Sequence, residues 1–165
     1  MAKLEFQGQT YTRGEDIKAV LADYGVPYEF WGIRPGAAGG PDDLVLTSYK
    51  QEIECLRRER DYQTVDLVAL KPATPNLDQI LAKFAPEHHH VDDEVRFTVE
   101  GEGIFEIESR PQQMLKFTAE PGDLIVIPAM RRHAFYLTQK KNIRCIRLFK
   151  TKEGWEAIYP RVTTT

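Results

Sequence analysis

The chain has 165 residues, 42% of them hydrophobic and 28% charged, with a net charge of −3. That length suits one domain able to bury a real core, and the composition is that of an ordinary soluble globular protein. The negative balance gives no reason to expect a nucleic-acid partner, since the basic cluster "RRER" (Arg57 to Arg60) contains a glutamate and fits a helix end better than a phosphate-binding patch.

In chain order, the first half is expected to be helical. "TRGE" (Thr12 to Glu15) is a capping-box pattern, followed by Ile17, Val20, Leu21 and Tyr24 at helical spacing and by Gly25 as a stop. A second helix is expected from about Pro41, with Asp42 and Asp43 at its positive end, the apolar stripe Leu46, Tyr49, Ile53 and Leu56, and "RRER" at its negative end. "QTVDLVAL" (Gln63 to Leu70) has the pattern of a strand. A short third helix carries Leu77, Ile80, Leu81 and Phe84, opened by Thr74 and Pro75 and closed before Pro86.

Beyond Pro86 the period changes. "VRFTV", "GIFEIE", "MLKFT", "DLIVIP", "HAFYLT" and "IRCIRLF" are short strand patterns, separated by turn residues or solvated charge. Strands at this spacing predict a sandwich or barrel with the helices packed outside it. The fold class is therefore mainly β with N-terminal helices. A single domain is expected over residues 1–165, with helices mostly in 12–85 and barrel strands mostly in 63–149. No apolar run is long enough to span a bilayer, and the start "MAKLEFQGQTY" lacks a signal core, so a cytoplasmic location without membrane attachment is expected. Cys55 and Cys145 are expected to be buried or free thiols, without a disulfide.

The candidate site is "EHHHVDDEVRFTVEG" (Glu87 to Gly101). His88 and His90 share a face if the stretch is extended, and His89 points away, as does Glu87. A turn at Val91 to Asp93 would bring Glu94 back onto both imidazoles, while Asp92 and Asp93 are best explained as solvated acids. The fourth histidine, His133, follows "PGDLIVIPAMRR". Three imidazoles and a carboxylate without thiolate suit iron(II), nickel(II), cobalt(II), manganese(II) or zinc(II), and argue against a structural zinc site. Four protein ligands would leave two octahedral positions for water or a chelating substrate.

These residues resemble a known family. "HHHVDDEVRFTVEG" is similar to the first metal motif of the cupins and "PGDLIVIPAMRRH" to the second. With Val95, Arg96 and Phe97 directly after the glutamate, "KFAPEH" before it, "GVPYEFWG" near the start and "EGWEAIYP" near the end, the chain resembles the acireductone dioxygenases over roughly residues 17–159. The resemblance implies a cupin-type β-barrel (a double-stranded β-helix, or jelly roll) with a metal in its mouth. It makes His88, His90, Glu94 and His133 the ligands of one iron(II) or nickel(II) ion. Arg96 would be the catalytic and substrate-binding cation. Phe84, Phe135 and Arg147 would contact substrate, and parity independently places Phe135 on the face of His133.

The implied reaction joins O2 to the enediol 1,2-dihydroxy-3-keto-5-methylthiopentene in methionine salvage. The iron form would release formate and 4-methylthio-2-oxobutanoate. The nickel form would release formate, carbon monoxide and 3-methylthiopropionate. The alternatives are another metal-dependent cupin enzyme, such as a different dioxygenase or a sugar isomerase, and a non-catalytic ligand-binding cupin. Small-molecule partners and a monomer are expected. His89, Thr98, Arg131, Arg132 and Ala134 depart from the family's common residues, which bears on pocket shape and leaves the four ligand positions intact.

Overall fold

The computed structural model describes residues 2–151, 153 and 156–160. Gly154 and Trp155 of the "EGWEAIYP" motif lie outside them. Two five-stranded antiparallel sheets face each other. The first runs β2-β1-β7-β6-β9, built from Gln9–Tyr11, Lys3–Phe6, Gln113–Ala119, Gly103–Arg110 and His133–Leu137. The second runs β3-β8-β5-β10-β4, built from Tyr28–Phe30, Asp123–Ile127, Glu94–Gly101, Ile143–Phe149 and Thr64–Leu70. The cupin-type barrel implied by the motifs is present. The short strands β1, β2 and β3 escaped the sequence reading because three or four residues are too few to show a period.

The helices depart from expectation in detail. Helix α1 (Gly14–Asp23) starts after Arg13, and no side chain caps it, so Thr12 and Glu15 do not form the expected capping box. Gly25 does terminate it, at φ 74°. The expected second helix is two, α2 (Asp42–Ser48) and α3 (Lys50–Arg60), broken at Tyr49. Tyr49 is fully buried, and its hydroxyl donates to the Gly32 carbonyl and accepts from the Arg34 amide. That anchoring replaces helix continuity at this point. Helix α4 (Leu77–Phe84) opens at Asn76 rather than at Thr74 and Pro75.

The core is layered. Ile107, Leu115, Phe117, Ile125 and Ile127 fill the closed part of the barrel together with Leu4, Ile17 and Leu21. A second cluster lies outside the second sheet, where Val95, Phe97, Val99, Leu124, Val126, Ile146 and Leu148 meet Val45, Tyr49, Ile53 and Leu56 of α2 and α3. The helices therefore cover the outer face of that sheet. Its inner face is free to carry chemistry. Gly101, the last residue of β5, is required by two constraints at once. Its φ is 73°, and a Cβ there would lie 2.0 Å from the Asn142 carbonyl oxygen.

Candidate metal centre and cavity

The site sits on a seam between the two sheets. Just before β5 the chain pairs with the first residue of β9: the His88 amide donates to the His133 carbonyl at 2.9 Å and the His133 amide returns to the His88 carbonyl at 2.8 Å. His89 turns the other way and forms an antiparallel bridge with Ile158. The turn at Val91 to Asp93 is pinned by Asp93, whose carboxylate accepts from the Ala129 amide at 2.8 Å and from the Tyr62 hydroxyl at 2.9 Å. Asp93 is thus a structural anchor and not the solvated acid expected from its neighbours. Nothing local in sequence announces Tyr62 or Ala129 as its partners.

This geometry brings His88, His90, Glu94 and His133 together. All four are buried, and one ligand atom from each lies within 4.8 Å of the others. Each imidazole is oriented from behind. The Nδ1 atoms of His88, His90 and His133 lie 2.8, 3.1 and 2.9 Å from the carbonyls of Pro86, Glu156 and Arg131. A carbonyl can only accept, so Nδ1 donates and the neutral ring presents the Nε2 lone pair forward. For His90 and His133 that lone pair faces Glu94 Oε2, at 2.8 and 3.0 Å. Lone pairs against a carboxylate repel unless a proton or a cation lies between them. His90 Nε2 is buried without a hydrogen-bond partner. The group therefore fits a divalent cation and is a metal-binding His/His/Glu/His set.

Electrostatics agree with a carboxylate ligand. Burial alone would raise the Glu94 pKa, but Arg96 first, then His133 and His90, hold it well below the usual carboxylate range. Burial pushes the His88 imidazole below its ordinary value, towards the neutral form that ligates metal. Burial acts the same way on His90, and there the adjacent Glu94 outweighs it and the net shift is upward.

Beside the group lies a cavity of about 340 Å³. Glu94 and Arg96 line its polar end. Leu70, Ile80, Phe84, Phe105, Phe135, Ile143 and Cys145 line much of the rest. The Phe84 ring stands 5.9 Å from the His88 ring, and the Phe135 ring 4.9 Å from the Phe105 ring. Arg96 reaches Glu94 Oε1 at 3.3 Å and donates to the Val95 carbonyl at 3.1 Å. Arg147 also lines the cavity, held by Asp66 through two hydrogen bonds. All the predicted site residues thus line or border one space. Glu87 is exposed, 3.8 Å from Arg132, away from the group.

Two groups at the site lie outside the expected metal and substrate residues. Cys145 lines the cavity, and burial pushes its thiol up to about 11, so it stays protonated at neutral pH. Its mate Cys55 is exposed, and both are free. The segment around Glu156 to Pro160 crosses behind the histidines. It supplies the carbonyl to His90, and its Tyr159 hydroxyl donates to the Lys83 carbonyl at 2.5 Å. A backbone carbonyl leaves no residue-specific signal, so sequence could not point to this contact.

Comparisons with known proteins agree with the site. The model of the ARD/ARD' family matches residues 42–157. An acireductone dioxygenase of Sulfurihydrogenibium sp. (strain YO3AOP1) is 42% identical over 170 residues, covering 96% of this chain and 94% of that protein. One from Exiguobacterium sibiricum is 38% identical over 172 residues, covering 98% and 96%. The solved structure of acireductone dioxygenase from Bacillus anthracis, with a cadmium ion in its active centre, superposes with a TM-score of 0.90 at 35% identity, covering 96% of this chain and 98% of that one. With its barrel, its metal-binding group and these relatives in agreement, the chain belongs to the acireductone dioxygenase (ARD/ARD') family.

Proposed function

We propose that the chain cleaves 1,2-dihydroxy-3-keto-5-methylthiopentene with O2 in methionine salvage, using one iron(II) or nickel(II) ion held by His88, His90, Glu94 and His133. The observation that carries this reading is the junction of a buried His/His/Glu/His group with a cavity that is cationic at that end and apolar beyond it. Family membership favours this reaction over the other cupin activities and over a non-catalytic binder.

When bound, the ion supplies a Lewis-acid centre that polarises and orients the enediol oxygens. The chain's own residues do the rest. Arg96 provides a fixed positive fork for the enediolate, and Glu94 keeps that fork at the metal end until substrate arrives. Phe84 and Phe135 receive the methylthio tail and keep water from the reacting carbons. Both oxygen atoms of O2 end in the products: formate and 4-methylthio-2-oxobutanoate in the iron form, or formate, carbon monoxide and 3-methylthiopropionate in the nickel form. A monomer is the proposed working unit. The proposed setting is the cytoplasm, and no helix among the described residues is long and apolar enough to cross a membrane.

The test is oxygen uptake after adding freshly generated acireductone to protein loaded with each metal, with the products separated by chromatography and gas analysis. We expect uptake with both ions and a product shift towards carbon monoxide with nickel. Identical products from two verified metal forms would remove metal control. No uptake with either would remove the dioxygenase reading.

A further inference from the structure

Three charged residues stand in register across the inner face of the second sheet. Arg147 on β10 lies directly opposite Arg96 on β5 and, on its other side, directly opposite Asp66 on β4. Directly opposed side chains share a face and approach closely, and like charges so placed destabilise a sheet. Both arginines line the cavity, while Asp66 does not. Arg147 donates from Nε to Asp66 Oδ1 at 2.8 Å and from Nη2 to Asp66 Oδ2 at 2.6 Å, a two-pronged charge-assisted pair. The Arg147 side chain is 16% exposed and that of Asp66 is 42% exposed.

From this row we propose that Asp66 is a positioning residue. It fixes the Arg147 fork against repulsion from Arg96, so that the cavity wall presents two arginines to one anionic ligand. The inference rests on the enediolate reading of the site and deepens it by naming what sets the second cation. Two effects of Asp66 compete. Its negative charge repels an anionic substrate, and its grip orients Arg147. The carboxylate is nearly half exposed, so water and salt screen its longer-range repulsion of the substrate more strongly than its contacts with Arg147 at 2.6 and 2.8 Å, whose bidentate geometry sets the orientation of the fork. Orientation therefore wins. Asp66 supports anion binding although it is itself an anion.

The experiment measures binding of the enediolate to nickel-loaded protein without oxygen, together with kcat and KM in its presence. Asp66→Asn should weaken anaerobic binding and raise KM by about threefold to tenfold, the scale of one charged hydrogen bond. Metal content and kcat should stay near the parent values, and the protein should remain folded with a modestly lower melting temperature. Asp66→Glu, which keeps the carboxylate, should recover most of the affinity. Adding Asp66→Asn to Arg147→Met should change nothing further, because the aspartate acts through the arginine. Unchanged or tighter binding in Asp66→Asn overturns the proposal, as does an equal loss in both backgrounds. Wild-type affinity in Arg147→Met removes the second cation and overturns it too. Binding by the parent without oxygen uptake overturns the dioxygenase reading alone.

Discussion

Strand β5 has two faces, and they do opposite work. Val95, Phe97 and Val99 point outward under α2 and α3, into an apolar layer. Glu94, Arg96 and Thr98 point into the barrel, towards the metal-binding group and the cavity. In a sheet with one wet side, the polar residues of such an alternation face water. Here both faces are covered: Phe97 is 0% exposed and Thr98 is 1% exposed. The polar face is the inside of the protein. Alternating polarity thus states that the faces differ, and only the position of the helices states which one is interior.

The sharpest way to break this comparison is to cut one residue from each face. Phe97→Ala removes a ring packed against Trp31 and Tyr49, at centroid distances of 4.9 and 4.6 Å. It should cost about 3–5 kcal/mol in the unfolding free energy of the metal-free protein. Glu94→Gln is nearly isosteric and should leave that protein folded while lowering metal affinity at least about tenfold, since an amide oxygen replaces the anionic ligand. Denaturant unfolding and elemental analysis of both variants read the two effects separately. Equal metal loss in the two, at matched stability, would end the division of labour between the faces.

A smaller effect should separate metal from substrate on the inner face alone. Arg96→Lys keeps the charge and loses the planar fork. Metal content should stay near one ion per chain, and the affinity for enediolate should drop by about tenfold, the scale of one lost bidentate contact. Anaerobic titration checks this. Parent-like affinity would return Arg96 to a structural role as the partner of Glu94.

Much of the site was legible because its residues lie close together in sequence and their spacing encodes geometry. His88, His90 and Glu94 are separated by one and three residues, so strand parity and one turn sufficed to group them. His133 joined them by elimination and by its proline-ended strand. What stayed hidden is held by pairs far apart in the chain. Tyr62 anchors Asp93, Asp66 holds Arg147 across 81 positions, and Glu156 supports His90 across 66. The break between α2 and α3 was hidden for a related reason. Tyr49 fits the apolar stripe of a continuous helix, and its ties to Gly32 and Arg34 are tertiary. The short strands β1 to β3 belong to the same class, since pairing with distant neighbours defines them.

The inner face carries a second buried carboxylate, and it behaves differently from Glu94. Asp123 opens β8 and is 1% exposed. It accepts from the Tyr28 hydroxyl at 2.8 Å and from the Glu120 amide at 2.7 Å. Burial raises its pKa from 3.8 to about 6, and the Tyr28 hydrogen bond offsets only part of that shift. Glu94 is buried too, yet Arg96 and the histidines drive it the other way. The sign of the stability effect follows from proton counting. Between about pH 4 and pH 6 the folded state holds this proton more often than the unfolded state does, so stability falls as pH rises through that window. Below it the contribution is fully present, and above it the contribution is lost. Asp123→Asn removes this titration while leaving every histidine in place. The parent-minus-variant difference in melting temperature, measured on metal-free protein, should therefore be more favourable to the parent at pH 4 than at pH 7. Taking the difference cancels the protonation of groups the two proteins share. A difference that stays constant across the range would mean that Asp123 titrates as an ordinary carboxylate, and that burial does not separate it from Glu94.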